Sequence, residues 1–144
     1  MHQLYATAGS GNCFKPQLMM TQLGIPYRTI WVDVLRGESR HPDYLAMNPA
    51  GTVPFLRLSD DREIAESNAM LWALAHDSAL LPTHPIEQAM IVQWMIFEQT
   101  RLEPFIAPAR FFTTIVPTRR RIKHWRSTPG ATKPKRDCNG WKRI

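Results

Sequence analysis

The sequence predicts an α/β domain of element order βαβ-ββα on a mixed four-stranded sheet, followed by a partial all-α region. Three patterns in the 144 residues lead there. Short β-prone runs alternate with helical periods in the first half, glycine and proline clusters punctuate each change, and from Ile86 onward apolar residues recur at helical spacing alone.

Leu4-Tyr5-Ala6-Thr7 reads as a first strand ending in the turn cluster Ala8-Gly9-Ser10-Gly11. Asn12 is expected to cap a helix that runs to about Leu23, with Cys13, Phe14, Leu18, Met19 and Leu23 at helical spacing. Pro16 is read as falling in the first turn, which needs no backbone donor, and Gly24 as the stop. Residues 27–34 are rich in β-branched and aromatic side chains, and the intervening helix supplies the crossover of a parallel pair. A polar loop, one helical turn over Tyr44-Leu45-Ala46-Met47 and the turn Asn48-Pro49-Ala50-Gly51 follow. Residues 53–58 and 63–65 flank Ser59-Asp60-Asp61-Arg62 as a hairpin, and Ser67 is expected to cap a helix carrying Met70, Leu71, Leu74 and Ala75. Ile86, Met90, Trp94, Phe97 and Leu102 mark one face of a long helix to about Val116, kinked at Pro104 and Pro108. The expected organisation is a domain over 1–79, a linker over 80–85, a partial helical domain over 86–117, and a tail over 118–144.

Charge is divided unevenly. Residues 1–117 hold 8 Lys and Arg against 11 Asp and Glu, whereas residues 118–144 hold 10 against 1. The net charge of +6 therefore belongs to the tail, which is expected to be disordered and to attract nucleic acid only nonspecifically. A functional basic tail for nucleic acid is the alternative to a truncated or frame-altered C-terminus. No apolar run approaches the ~18–20 residues of a membrane span, and Met1-His2-Gln3-Leu4-Tyr5 does not open a secretory signal. Two distant cysteines, Cys13 and Cys138, make a reducing, cytoplasmic setting the default. His76, His84 and His124 lack metal-ligand spacing, and no metal is expected.

Six stretches, in this order and spacing, carry a family resemblance: Leu4-Tyr5, Ser10-Gly11-Asn12-Cys13, Leu23-Gly24-Ile25-Pro26-Tyr27, Asn48-Pro49-Ala50-Gly51-Thr52-Val53-Pro54, Glu66-Ser67-Asn68-Ala69-Met70-Leu71 and Leu80-Leu81-Pro82. Over about residues 3–115 the chain resembles the glutathione S-transferases of the serine-type, theta-like kind, whose N-terminal domain has a thioredoxin-like fold. The resemblance implies glutathione as co-substrate, a small electrophile as its partner, and a homodimer. It also implies a cis peptide at Val53-Pro54, with Val53 free to bind the cysteinyl backbone, and places the γ-glutamyl end at Glu66 and Ser67. Helix physics allows a carboxylate at the first N–H groups of the helix after Glu66, and an ordinary Ser67 cap is the alternative reading of the same residues.

Ser10-Gly11-Asn12-Cys13 has the spacing of a redox Cys-x-x-Cys with serine in the exposed seat, which excludes a dithiol mechanism. A hydrogen bond from Ser10 and the helix terminus both favour a bound thiolate, and Asn12 could share that role. Cys13 is the rival reactive group. Relatives often place a histidine that binds the glycyl carboxylate in the loop before the short helix; this chain reads Gly37-Glu38-Ser39-Arg40-His41-Pro42, so the resemblance implies Arg40 or His41 as that histidine's substitute. Lys15 can approach an anionic ligand. The leading expectation is conjugation of glutathione to an electrophile. A non-catalytic glutathione-binding or dimerisation module, and a thiol oxidoreductase using Cys13, are the alternatives.

Overall fold

A computed structural model describes residues 1–115, so the expectations for the tail lie outside the described residues. The chain divides into two compact units between Ala107 and Pro108, and residues 80–85 lie inside the first. The first unit opens with β1 (His2–Ala6), α1 (Gly11–Gln22) and β2 (Tyr27–Trp31). A 3-10 turn at Glu38–Arg40 and α2 (Pro42–Met47) lead to β3 (Phe55–Arg57), β4 (Glu63–Ala65) and α3 (Ser67–Ala75). The sheet order is β2-β1-β3-β4, with β1 parallel to β2 and antiparallel to β3. This is the thioredoxin-like fold, with helical structure after it.

Alternation along the strands builds two cores. Leu4, Ala6 and Leu56 face one way, where Cys13 and Met20 of α1 and Met70 and Leu74 of α3 close over them. Tyr5 and Phe55 face the other way and meet Tyr44 of α2, with ring centroids 5.6–6.3 Å apart and edge-to-face geometry.

The local readings need four corrections. Ser10, not Asn12, caps α1: its Oγ accepts from the Cys13 N–H at 3.3 Å, and Asn12 lies within the helix. Pro16 sits in the second turn, where its ring removes the donor for the Asn12 carbonyl; the residue is buried between α1 and the core. The buried stripe of α1 is Cys13, Pro16 and Met20, while Phe14 is 58% exposed and Leu18 is exposed too. Ser67 does not cap α3: Glu66 holds the cap position and makes no side-chain cap bond, leaving the Ser67 hydroxyl for another partner. The stop at Gly24 is as expected, with φ +65° and the Ile25 N–H returning to the Met20 carbonyl at 2.9 Å.

The long helix is interrupted ahead of Pro104, whereas Pro108 lies inside a helical segment. α4 (Pro85–Phe97) passes through a π-helical turn, Glu98–Leu102, into α5 (Glu103–Arg110). Just ahead of Pro104 the Glu103 N–H reaches back five residues to the Glu98 carbonyl. The expected apolar face of α4 is not a core face among the described residues, since Ile86, Met90 and Trp94 are all exposed. In the second unit, a π-helical turn at Phe111–Ile115 brings the Phe111 and Phe112 rings edge to face at 5.4 Å.

Candidate functional site

Register gathers three of the singled-out segments. Tyr5 stands opposite Phe55, and Phe55 opposite Ala65. The residues following Ala6, those preceding Phe55 and those following Ala65 therefore leave the sheet at one end. These are the Ser10 turn, Val53-Pro54 and Glu66-Ser67.

Two helix N-termini meet there. The Ser67 hydroxyl, on a residue only 3% exposed, donates to Asn12 Oδ1 at 3.4 Å, and Asn12 Nδ2 donates to Glu103 Oε1 at 3.2 Å. Glu66 is exposed and adopts φ +69° and ψ 116°, a conformation costing a non-glycine residue ~1–3 kcal/mol. Beside this pair, Lys15 Nζ donates to Asn68 Oδ1 at 2.9 Å and lies 3.0 Å from Glu98 Oε2; Asn68 Nδ2 in turn reaches the Met95 carbonyl at 3.1 Å. The sequence marked Lys15 as a candidate for an anionic ligand, and the fold gives it two protein partners instead. Asn68, Glu98 and Glu103 were not singled out. Asn68 adjoins Ser67, which was a signal, but the carboxylates lie 83 and 91 residues from their partners, and no local pattern relates them.

Ser10 and Cys13 are brought together with different prospects. The Ser10 hydroxyl is half-buried at the cap, where its oxygen accepts from Cys13 N. Cys13 is 1% exposed within the core, and its Sγ accepts from the Thr7 N–H at 3.4 Å. Burial pushes its thiol pKa up, against the smaller opposite pull of the Ser10 and Thr7 hydrogen bonds. A buried thiol held in its neutral form is a poor nucleophile, so the geometry argues against a redox role for Cys13.

The Val53-Pro54 peptide is cis, as the resemblance implies, with Pro54 buried and Val53 outside the β3 ladder. Its approach is fixed by α2: Tyr44 Oη and Asn48 Nδ2 donate to the Thr52 carbonyl at 2.7 and 2.9 Å. Desolvation pushes the Tyr44 phenol up to about 12, so it remains a donor. Arg40 Nη1 donates to the Ala50 carbonyl at 3.0 Å, anchoring the 3-10 turn to the same segment, while the exposed His41 lies 3.4 Å from Asp43 Oδ2. Among the described residues no group of three His, Cys, Asp or Glu side chains could hold a metal, and no helix is long and apolar enough to cross a membrane.

Comparisons with known proteins agree with this architecture. The model of the glutathione S-transferase N-terminal domain matches residues 9–77. A possible glutathione S-transferase of Rhodopseudomonas palustris superposes with a TM-score of 0.81 at 44% identity, over 88% of this chain and 57% of that one. Ure2p in complex with glutathione superposes with a TM-score of 0.72 at 28% identity, over 81% and 52%. Among curated sequences the chain is 29% identical over 120 residues to URE2 of Meyerozyma guilliermondii, and equally to the transcriptional regulator URE2 of Saccharomyces cerevisiae, in each case over 77% of this chain. It spans 40% and 34% of the lengths of those two relatives. With the thioredoxin-like order of elements and the cis Val53-Pro54 peptide in place, the matched segment, residues 9–77, belongs to the glutathione S-transferase N-terminal domain family.

Proposed function

We propose that the chain binds glutathione at the shared end of β1, β3 and α3 and promotes conjugation of its sulfur to an electrophilic small molecule. The observation that carries this reading is the Ser67–Asn12 hydrogen bond, because it sets the N-termini of α3 and α1 side by side. The γ-glutamyl carboxylate takes the first N–H groups of α3 and the Ser67 hydroxyl, whose hydrogen turns to it from Asn12 Oδ1, and its ammonium faces Glu66. The cysteinyl backbone pairs with Val53 beside Pro54, and the glycyl end reaches Arg40 and His41. The sulfur then lies toward α1, where Ser10 donates to it and Asn12 helps orient the site. Ionisation sends the thiol proton to water, the thiolate electron pair forms the bond to the electrophilic carbon, and the bond to the leaving group breaks with its pair, as chloride from a chlorodinitrobenzene. Lowering a thiol pKa by two units takes about 2.7 kcal/mol, within reach of one hydrogen bond to a charged sulfur plus a helix terminus. A homodimer in the cytoplasm is part of the proposal.

A second reading, glutathione binding without conjugation, is supported by the likeness to a transcriptional regulator. Calorimetric titration with glutathione, followed by a conjugation assay with a chlorodinitrobenzene, separates the two. Binding with conjugation above the uncatalysed rate supports the first reading, and binding alone the second. Absence of binding at millimolar glutathione overturns both.

A further inference from the structure

Beyond Arg40 and His41 the same face of the sheet carries an open groove of about 720 Å³. Its floor is apolar, formed by Tyr5 and Val32 of the sheet side and by Tyr44 and Met47 of α2. Of the polar side chains around it, Arg36 pairs with Asp33 at 3.4 Å, His41 lies 3.4 Å from Asp43, and the Glu38 carboxylate accepts from the Asp33 N–H at 2.6 Å. Arg40 differs, since its Nη1 donates to a neutral carbonyl, Ala50 O, which leaves other guanidinium donors for an incoming acceptor. Two features join the groove to the glutathione site proposed above. Arg40 and His41 line it, and its Tyr44 wall is bonded to the Thr52 carbonyl, one residue before Val53.

We infer that this groove accepts an uncharged apolar group attached through the glycyl carboxyl, so that the substrate class extends to esters and amides of glutathione at that end. The inference rests on the proposed orientation of glutathione, with its glycyl end at Arg40. On the proposed orientation, a ligand that runs from Ser67 past Val53 brings its glycyl carbonyl to Arg40, which also lines the groove, so that carbonyl is the point of attachment. The chemistry of the lining fixes the rest. Arg40 donates to the ester or amide carbonyl in place of the carboxylate, and a phenyl ring on the far side covers Tyr5, Val32 and Met47, where a charged group would lose water without gaining a partner.

The test is calorimetry on the full chain with three probes: glutathione, its glycyl methylamide and its glycyl benzylamide. Both amides lack the carboxylate, so their ratio reads the groove alone. The benzylamide is expected to bind about tenfold tighter than the methylamide, the scale of partly burying one ring. Ile30, half-buried in the groove wall, gives the blocking variant: Ile30→Trp should bring the ratio to within about twofold and leave glutathione affinity unchanged. Met47→Ala, which shortens the floor, should lower the ratio independently of whether the tryptophan variant folds. Equal affinity of the two amides in the native chain, or a ratio that survives both variants, overturns the inference while leaving the glutathione site intact. Failure of all three probes to bind overturns the underlying orientation, and the inference with it.

Discussion

Ser67 and Asn12, 55 residues apart, are joined by a 3.4 Å hydrogen bond that ties the first turn of α3 to the first turn of α1. The contact depends on both residues being released from the capping roles their types favour. Ser10 caps α1, so the Asn12 amide is free to bridge Ser67 and Glu103; Glu66 occupies the cap of α3, so the Ser67 hydroxyl points away from its own helix.

Because Ser67 is buried, Asn12→Ala should destabilise the fold by ~1–3 kcal/mol through the unpartnered hydroxyl it leaves. Ser67→Ala in the same chain removes that hydroxyl, so the double variant should be more stable than the sum of the single losses by about 1 kcal/mol. Urea unfolding of the four proteins measures the coupling. Additivity within ~0.3–0.5 kcal/mol would mean that the contact is incidental. If glutathione docks as proposed, Ser67→Ala should also lower its affinity by about 1.5–3 kcal/mol, the worth of a hydrogen bond to a charged group.

Glu66 separates stability from function. Its φ of +69° is a conformation glycine adopts without strain, and the side chain is exposed. Glu66→Gly is therefore expected to raise the thermal midpoint, or leave it unchanged, while weakening glutathione binding through loss of the acid facing the ammonium. A variant that loses stability would show that the carboxylate has a structural partner. One that keeps full affinity would remove Glu66 from the site.

What was legible in the sequence followed from short-range rules. The hairpin and α3 were readable because Asp60-Asp61 and Glu66-Ser67 sit at the boundaries of β-branched and helical runs, and Gly24 stops α1 where no other residue would be unstrained. Capping was misread at Asn12 because Ser10 and Asn12 both suit a cap, and only the backbone decides between them. The α1 face was misread because Phe14 and Leu18 have the right spacing for a core that Pro16 and Met20 fill. The carboxylates at 98 and 103 were invisible, since their pairing with Lys15 and Asn12 depends on how α4 and its π-helical turn come back over α1.

Alkaline pH should weaken the fold in two steps. Cys13 and Tyr44 both have folded pKa values raised above their ordinary 9.0 and 10.0, that of Tyr44 to about 12. Above the ordinary value the unfolded chain has released a proton that the folded chain retains, so stability present below that pH is lost as pH rises toward the folded pKa. Denaturant midpoints should be flat up to about pH 8 and decline from about 9. Cys13→Ala should reduce the earlier part of the decline, and Tyr44→Phe the part between about 10 and 12. A midpoint that rises over this range would contradict the burial of both groups.

Gly51 connects the fold to the glycyl end of the proposed site. At φ +61° any side chain is strained there, and a Cβ would lie 2.5 Å from Arg40 Nη1 and 2.9 Å from the Ser39 carbonyl. These two clashes have different remedies. The guanidinium is the far end of a flexible chain and can swing away, giving up its bond to the Ala50 carbonyl; the Ser39 carbonyl belongs to the backbone of the 3-10 turn and cannot. Gly51→Ala is thus expected to cost ~1–3 kcal/mol, and adding Arg40→Ala should recover little of it, because the strain and the backbone clash remain. Glutathione affinity should respond in the opposite pattern. Gly51→Ala displaces Arg40, so it should weaken binding about as much as Arg40→Ala does, and the double variant should be no weaker than either. Recovery of full stability in the double variant would locate the whole defect in the guanidinium. Additive losses of affinity would mean that Gly51 acts on the ligand by a route other than Arg40.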